Sequence, residues 1–352
     1  MKKKILHLLV SNTYNGAENV VCQIADLFKT DKEFEIIYCS PDGPIRNALK
    51  EHGVKFAPLR ELSTREIKRV INEIKPSIVH AHDMRANFYA LLSCRGIPLV
   101  SHIHNNNYDS RGLSLKSLFF YFAARNAKHI FWVSKTSYDG YYFKKLLNKK
   151  SEILYNVINT DLLKQKAGQD PQTYNFDFVY LGRLTFQKNP QRLIRVMEQS
   201  IEKASQIKFA ILGEGELEEE IKDYIEQHKL SSNIFLLGYR SNPYKILQCS
   251  KAMIMTSRWE GLPMCALEAF ALGVPVISTP ADGLKELITN DIDGYLSDED
   301  EELVREIIKI YHNPAYRERL SSGAIAKTQE IMNLSKYKES IRKIYSEIPK
   351  ED

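Results

Sequence analysis

Short runs of Val, Ile and Leu, spaced so that a helix fits between each and the next, restrict this chain's fold more than any other feature. The runs do not alternate apolar with polar residues, which suits strands of a parallel sheet buried on both faces. The first series predicts strands at 5–10, 35–39, 54–59, 77–81, 98–102, 129–133 and 152–154. After a polar stretch at 164–175 a second series begins, at 177–181, 208–212, 234–237, 252–255 and 275–278. The 352 residues exceed what one growing core accommodates, so two restarting series mean two doubly wound α/β domains, 1–160 and 161–334. In such sheets ligands bind beyond the carboxyl ends of the strands, which directs attention to the cleft between the domains. The remaining segment, 335–352, carries Tyr337, Ile341 and Tyr345 on one face of a helical pattern and is expected to pack back on the first domain.

No stretch reaches the roughly 18 apolar residues of a membrane-spanning helix. The N-terminus reads as a first strand and not a leader, because its apolar run is short, contains His7 and stops at Ser11 and Asn12. Five cysteines, odd in number and without a CxxC pair, fit a reducing cytoplasm. Charge is unevenly divided: Lys and Arg outnumber Asp and Glu by 24 to 14 over residues 1–160, whereas 25 face 30 over the remainder. A basic first half favours an anionic partner, although a solvated basic surface has the same composition.

The segment SRWEGLPMCALEAFALGVPVIST, 257–279, reads as strand end, loop, helix N-terminus and next strand. Gly261 permits an unusual turn and Pro263 suits a first helical turn. Free amides at such a terminus bind phosphate or sugar oxygens, aided by the helix dipole. Glu260 precedes the helix and Glu268 lies inside it, about one turn deeper. Carboxylates suit vicinal hydroxyls because each accepts two hydrogen bonds. Two glutamates separated by seven residues occur by chance in most proteins; within this frame they carry information.

Here the chain resembles the retaining family-four glycosyltransferases of bacterial polysaccharide and capsule synthesis. The resemblance implies the GT-B fold, two Rossmann-like domains facing a central cleft. It implies that Glu268 holds the nucleotide ribose and Glu260 contacts the transferred sugar, with Gly261, Leu262, Met264 and Cys265 lining the donor site between them. YLGRLTFQKN, 180–189, resembles the opening of the family's second domain and places Arg183 and Lys188 on the donor diphosphate. The chemistry requires such cations, since the leaving group gains negative charge and no metal is expected.

LGEGE, 212–216, lacks the third glycine of a dinucleotide motif, so NAD is disfavoured. By resemblance Gly213 and Gly215 form a turn near the nucleotide and Arg240 borders the base; a plain tight turn also accounts for the glycines. SNTYNGAENV, 11–20, corresponds to the family's first loop, with Gly16 alone where a glycine pair is common.

His80 with His82, and His102 with His104, form two HxH pairs at neighbouring strand ends. Four imidazoles spaced in this way could converge on zinc, but no acidic or cysteine ligand is placed to complete a site, and no metal is expected. His80 and His102 are expected to pair with backbone. The resemblance places His104 near the reacting sugar, with catalytic Glu260, Arg183 and Lys188; His82 is a weaker candidate for the same wall. Segments 111–129 and 138–150 interleave aromatic residues with Lys and Arg, suited to an anionic bilayer or a lipid-linked diphosphate, and KKLLNKK is the better membrane candidate of the two. No nucleic-acid module is present.

The expected activity is therefore transfer of a sugar, with retained anomeric configuration, from a nucleotide sugar (UDP-sugar) to a saccharide or lipid-linked saccharide, without metal or other cofactor. A UDP-sugar epimerase on the same architecture and a catalytically silent GT-B partner protein are the alternatives.

Overall fold

The computed structural model describes residues 2–105 and 108–349, which form two compact units, 1–156 with 333–352 and 157–332. The first unit runs β1 Lys3–Leu8, α1 Gly16–Phe28, β2 Phe34–Pro41, α2 Ile45–His52, β3 Lys55–Leu59, α3 Thr64–Ile74, β4 Ile78–His82, α4 Asp83–Ser93, β5 Leu99–Ile103, α5 Leu115–Asn126, β6 His129–Trp132, α6 Lys135–Gly140, α7 Lys144–Leu147 and β7 Ser151–Ile153. The second runs α8 Thr160–Gly168, β8 Phe178–Leu181, α9 Pro190–Lys203, β9 Phe209–Leu212, α10 Glu218–Gln227, β10 Ile234–Gly238, α11 Tyr244–Cys249, β11 Ala252–Met255, α12 Met264–Ala271, β12 Val276–Ser278, α13 Leu284–Leu287, β13 Gly294–Leu296, α14 Asp300–His312 and α15 Pro314–Ile331. The last helix, α16 Leu334–Glu347, returns to the first unit.

Both sheets are parallel and doubly wound. The first has order β3-β2-β1-β4-β5-β6-β7 and the second β10-β9-β8-β11-β12-β13. Strand β13 has no counterpart among the expected strands: it is three residues long, GYL, and follows a polar turn, so its sequence carries no apolar run. Its pairing with β12 supplies what its sequence lacks.

The cores follow from the apolar runs. Ile5, Leu6, Ile78, Val79, Val100 and Ile130 are fully buried in the first sheet, as are Phe178, Val179, Ala210, Ile211, Met253 and Ile254 in the second. On α16, Tyr337, Ile341 and Tyr345 are buried together, and the Tyr345 ring lies 5.9 Å from Phe28 and 5.6 Å from Phe34. Lys3 bonds the Ile348 carbonyl at 2.8 Å and Arg342 pairs with Asp31 and Glu33, tying the chain's end to its beginning.

In each sheet the winding reverses once, between β1 and β4 and between β8 and β11. Loops leaving the carboxyl ends of two adjacent strands diverge there, and the crevice between them is where doubly wound sheets bind ligands.

Candidate active site

At the reversal point of the second unit the loops after β8 and β11 are bonded to each other. The Arg258 amide donates to the Gln187 carbonyl at 2.8 Å, Gln187 Nε2 to the Trp259 carbonyl at 3.0 Å, and Thr256 Oγ1 to the Asn189 carbonyl at 3.0 Å. Asn189 takes the left-handed conformation, φ 55°, to turn the chain into α9 with Pro190 in its first turn. These bonds bring Lys188, from one loop, to Glu260, from the other. Lys188 Nζ lies 2.5 Å from Glu260 Oε1, and Ser257 Oγ donates to the same oxygen at 2.6 Å. Glu260 is buried, so the ammonium and the hydroxyl compensate a carboxylate that burial would otherwise penalise.

A third loop supports this pair from below. The Glu260 amide bonds Asp282 Oδ2 at 3.1 Å, and a Cβ added at Gly283 would stand 1.8 Å from the Gly261 carbonyl oxygen. Gly283 is therefore where one backbone can touch another. After Gly261 and Leu262 the chain enters α12, whose N-cap Pro263 makes no side-chain cap bond. Met264 is buried and Cys265 half-buried, its thiol pushed up to about 12 by burial. In the second turn Glu268, also buried, accepts from the Tyr244 hydroxyl at 3.4 Å. Burial and the Glu268 carboxylate push the Tyr244 phenol up, which keeps it a donor.

Arg183 is exposed on the loop after β8, where its carbonyl accepts from the Tyr180 hydroxyl at 2.8 Å. Gly213 and Gly215 have a definite packing role. A Cβ at Gly213, φ 137°, would meet the Gly182 oxygen at 1.9 Å, and one at Gly215 the Leu184 oxygen at 2.3 Å. They let the loop after β9 lie against the loop that carries Arg183 and Lys188. Arg240 is exposed two residues beyond β10.

In the first unit Gly16 is the exposed first residue of α1, whose N-cap Asn15 makes no side-chain cap bond. In place of a second glycine, Ser11, Thr13 and Asn15 bond one another, Asn15 Nδ2 reaching Thr13 Oγ1 at 2.8 Å. His104, half-buried after β5, is held by its amide, which donates to Asp83 Oδ1 at 2.8 Å. Asp83 adopts φ 64°, a strained conformation for a residue with a side chain, and burial raises its carboxyl to about 6 against the pull of the His104 and Asn105 amides.

The histidines depart from expectation. His80 pairs through Nδ1 with the Tyr345 hydroxyl at 2.6 Å, not with backbone. His102 has no hydrogen-bond partner on either ring nitrogen among the described residues; its ring packs 4.4 Å from that of His104 and 5.4 Å from that of His82. His7, which in the sequence only interrupts an apolar run, bonds His82 at 2.9 Å. Parallel pairing of β1 with β4 sets His7 opposite His80. The sets His7, His80, His82 and His82, His102, His104 each bring ring nitrogens within 4.8 Å, a spacing a metal could bridge, but the facing nitrogens of His7, His82 and His104 are engaged with one another.

The two basic aromatic segments also differ from expectation. In α5 only Phe120, Ala123 and Ala124 of the apolar residues are buried, while Phe119 and Phe122, with Leu113 and Leu115 ahead of them, are exposed. Tyr142 and Leu146 are exposed and Leu147 buried in the second segment. The earlier segment thus offers the larger apolar surface. No helix among the described residues is long and apolar enough to cross a membrane.

Two parallel, doubly wound domains, each with a single reversal of winding, are the architecture of the Rossmann-like two-domain class. The Glycosyltransferase Family 4 model matches residues 14–162 and the Glycosyl transferases group 1 model matches 163–327. The chain belongs to the family-four glycosyltransferases and has the GT-B fold. It is 31% identical over 253 residues, 65% of this chain and 62% of the relative, to an uncharacterised glycosyltransferase of Methanocaldococcus jannaschii. It is 28% identical over 326 residues, 84% of each chain, to the UDP-Gal:alpha-D-GlcNAc-diphosphoundecaprenol alpha-1,3-galactosyltransferase of Escherichia coli. Anabaena HepE, crystallised with UDP and glucose, superposes with TM-score 0.85 at 19% identity, covering 98% of this chain and 100% of its own.

Proposed function

We propose that this protein is a retaining, metal-independent glycosyltransferase that moves a hexose or related sugar from a UDP-sugar to a lipid-linked saccharide in cell-envelope or capsular polysaccharide assembly, at the cytoplasmic face of the membrane. The observation that carries the reading is the Lys188–Glu260–Ser257 cluster ahead of the side-chain-uncapped N-terminus of α12, with Glu268 one turn deeper. In this reading Lys188 and Arg183 hold the diphosphate. Lys188 then shares its ammonium between Glu260 and the phosphate oxygens as the leaving group gains charge. Glu268 accepts from the ribose hydroxyls, held for that task by Tyr244. Glu260 accepts from hydroxyls of the transferred sugar, and the amides of Met264 and Cys265 face the donor. Gly213, Gly215 and Arg240 shape the nucleotide end. From the first unit, Gly16 and the α1 N-terminus serve the phosphate, and His104 the sugar. The E. coli relative, whose name specifies a UDP-sugar and a diphosphoundecaprenol acceptor, supports the donor and acceptor classes.

The test is thermal unfolding with a panel of UDP-sugars in buffer containing EDTA. One UDP-sugar should raise the melting temperature, and the same compound should support transfer to a diphospholipid-linked saccharide with the anomeric configuration retained. A UDP-sugar isomer formed without acceptor would instead identify an epimerase. Binding without turnover on any acceptor would identify a silent partner protein, and activity lost to EDTA and restored by zinc would end the metal-independent reading.

A further inference from the structure

A continuous hydrogen-bonded file runs through the first unit. His80 Nδ1 lies 2.6 Å from the Tyr345 hydroxyl, which lies 3.2 Å from His7 Nε2. His7 Nδ1 lies 2.9 Å from His82 Nε2, and His82 Nδ1 lies 2.8 Å from His104 Nε2. The ring centres of His7 and His82, and of His82 and His104, are 5.1 Å apart with interplanar angles of 23° and 19°. Nitrogens this close on centres this far apart mean that the rings meet edge to edge in nearly one plane, the arrangement an N–H···N bond requires.

Burial holds His7 and His104 at about 3 and His80 and His82 well below their ordinary range. Every ring of the file is therefore neutral near pH 7, with one N–H and one lone pair. In a file of such groups the direction of one bond dictates all the others. Tyr345 has a single proton to give, to His80 or to His7. Hydroxyl donors make shorter bonds than N–H donors, and its contact with His80 is the shorter by far, 2.6 against 3.2 Å. The hydroxyl then donates to His80, and its oxygen accepts from His7 Nε2–H. His7 Nδ1 accepts from His82 Nε2–H, and His82 Nδ1 accepts from His104 Nε2–H.

We infer that Tyr345, through His7 and His82, sets His104 in the Nε2–H tautomer, so that its Nδ1, buried and without a partner among the described residues, keeps a lone pair. Tyr345 is thus a positioning residue, acting on His104 only through the two intervening rings. The consequence for activity rests on the reading that His104 serves the transferred sugar: its Nδ1 would accept from a sugar hydroxyl and not donate to a sugar oxygen.

The experiment is nitrogen NMR of the full chain with ¹⁵N-labelled histidine, the His104 signals assigned by their loss in His104→Gln. The expected result is Nε2–H for His7, His82 and His104, and a shift of His104 toward a mixture of tautomers in Tyr345→Phe. Wild-type His104 protonated on Nδ1 overturns the inference and needs no variant to fold; so does an unchanged His104 in folded Tyr345→Phe, or zinc retained stoichiometrically and lost in His7→Ala. Transfer is measured alongside. A several-fold drop in kcat for Tyr345→Phe, with donor KM unchanged, is the expected outcome. If the tautomers are as stated and His104→Gln transfers normally, the file stands and the assignment of His104 to the sugar falls.

Discussion

Lys188 and Glu260 meet at 2.5 Å because two loops are stitched together over a distance of 72 residues in the chain. Each ion makes the other's burial tolerable, so the pair is organised before any ligand arrives. Lys188→Ala should weaken UDP binding about tenfold or more, since a charged hydrogen bond contributes about 1.5–3 kcal/mol. Isothermal titration with UDP measures this directly, and an unchanged affinity would remove Lys188 from the site. Gly283 is the complementary case, a residue with no chemistry of its own. Its φ is −62°, so alanine is permitted there by its own backbone and excluded by the Gly261 carbonyl group. Gly283→Ala should lower unfolding stability by about 1–3 kcal/mol and push the Gly261–Leu262 backbone out of place. Denaturant midpoints check the first effect and UDP affinity the second. The glutamate pair and the Arg–Lys pair were legible in the sequence because their frames are local. Tyr244, Asp282 and Asp83, which hold them or the His104 loop, were not: each acts from an element whose proximity depends on strand order, 21 to 24 residues away in the chain.

At the scale of elements, α12 places Glu268 and follows the loop that carries Glu260, and its apolar residues secure it, with Ala266, Leu267, Ala269 and Phe270 all buried. Helix α5 is built differently. Its low amphipathicity leaves Phe119, which packs 5.3 Å from the Phe88 ring, and Phe122 each about half exposed on a helix that also carries Lys116 and Arg125. Exposed aromatics beside cations suit an anionic bilayer surface, where each cation contributes about 1 kcal/mol. Wild-type protein should sediment with phosphatidylglycerol vesicles, and Phe119→Ser with Phe122→Ser should reduce the bound fraction several-fold without altering UDP affinity. Equal sedimentation of both would separate α5 from the membrane. The sequence pattern alone did not rank this segment above KKLLNKK, because aromatic residues in a basic helix look the same whether they face a core or a lipid. Helix α16 was plain in its apolar spacing, whereas its polar consequence, a tyrosine hydroxyl between two histidines, was not.

For the whole molecule, the buried imidazoles couple folding to acidity. His7 and His104 are depressed to about 3 and His129 to about 4, chiefly by burial, against an ordinary value of 6.5. Unfolded chains take up these protons as pH falls below about 6.5 while the native protein does not. The stabilisation is complete above that value and is lost progressively down to the native values, at up to about 1.4 kcal/mol per pH unit for each buried ring. The denaturant midpoint should therefore fall between pH 7.5 and 5.5; a constant midpoint would mean that the rings protonate without unfolding. Residue order alone was enough for two doubly wound α/β domains and the family, because apolar runs set strands and because motif residues lie within a few positions of one another. It left open which strands are neighbours, and with that the reversal points that assemble the loops, the thirteenth strand that exists only by pairing, and the file from His80 to His104. Those depend on contacts between residues up to 338 positions apart, which no local pattern encodes.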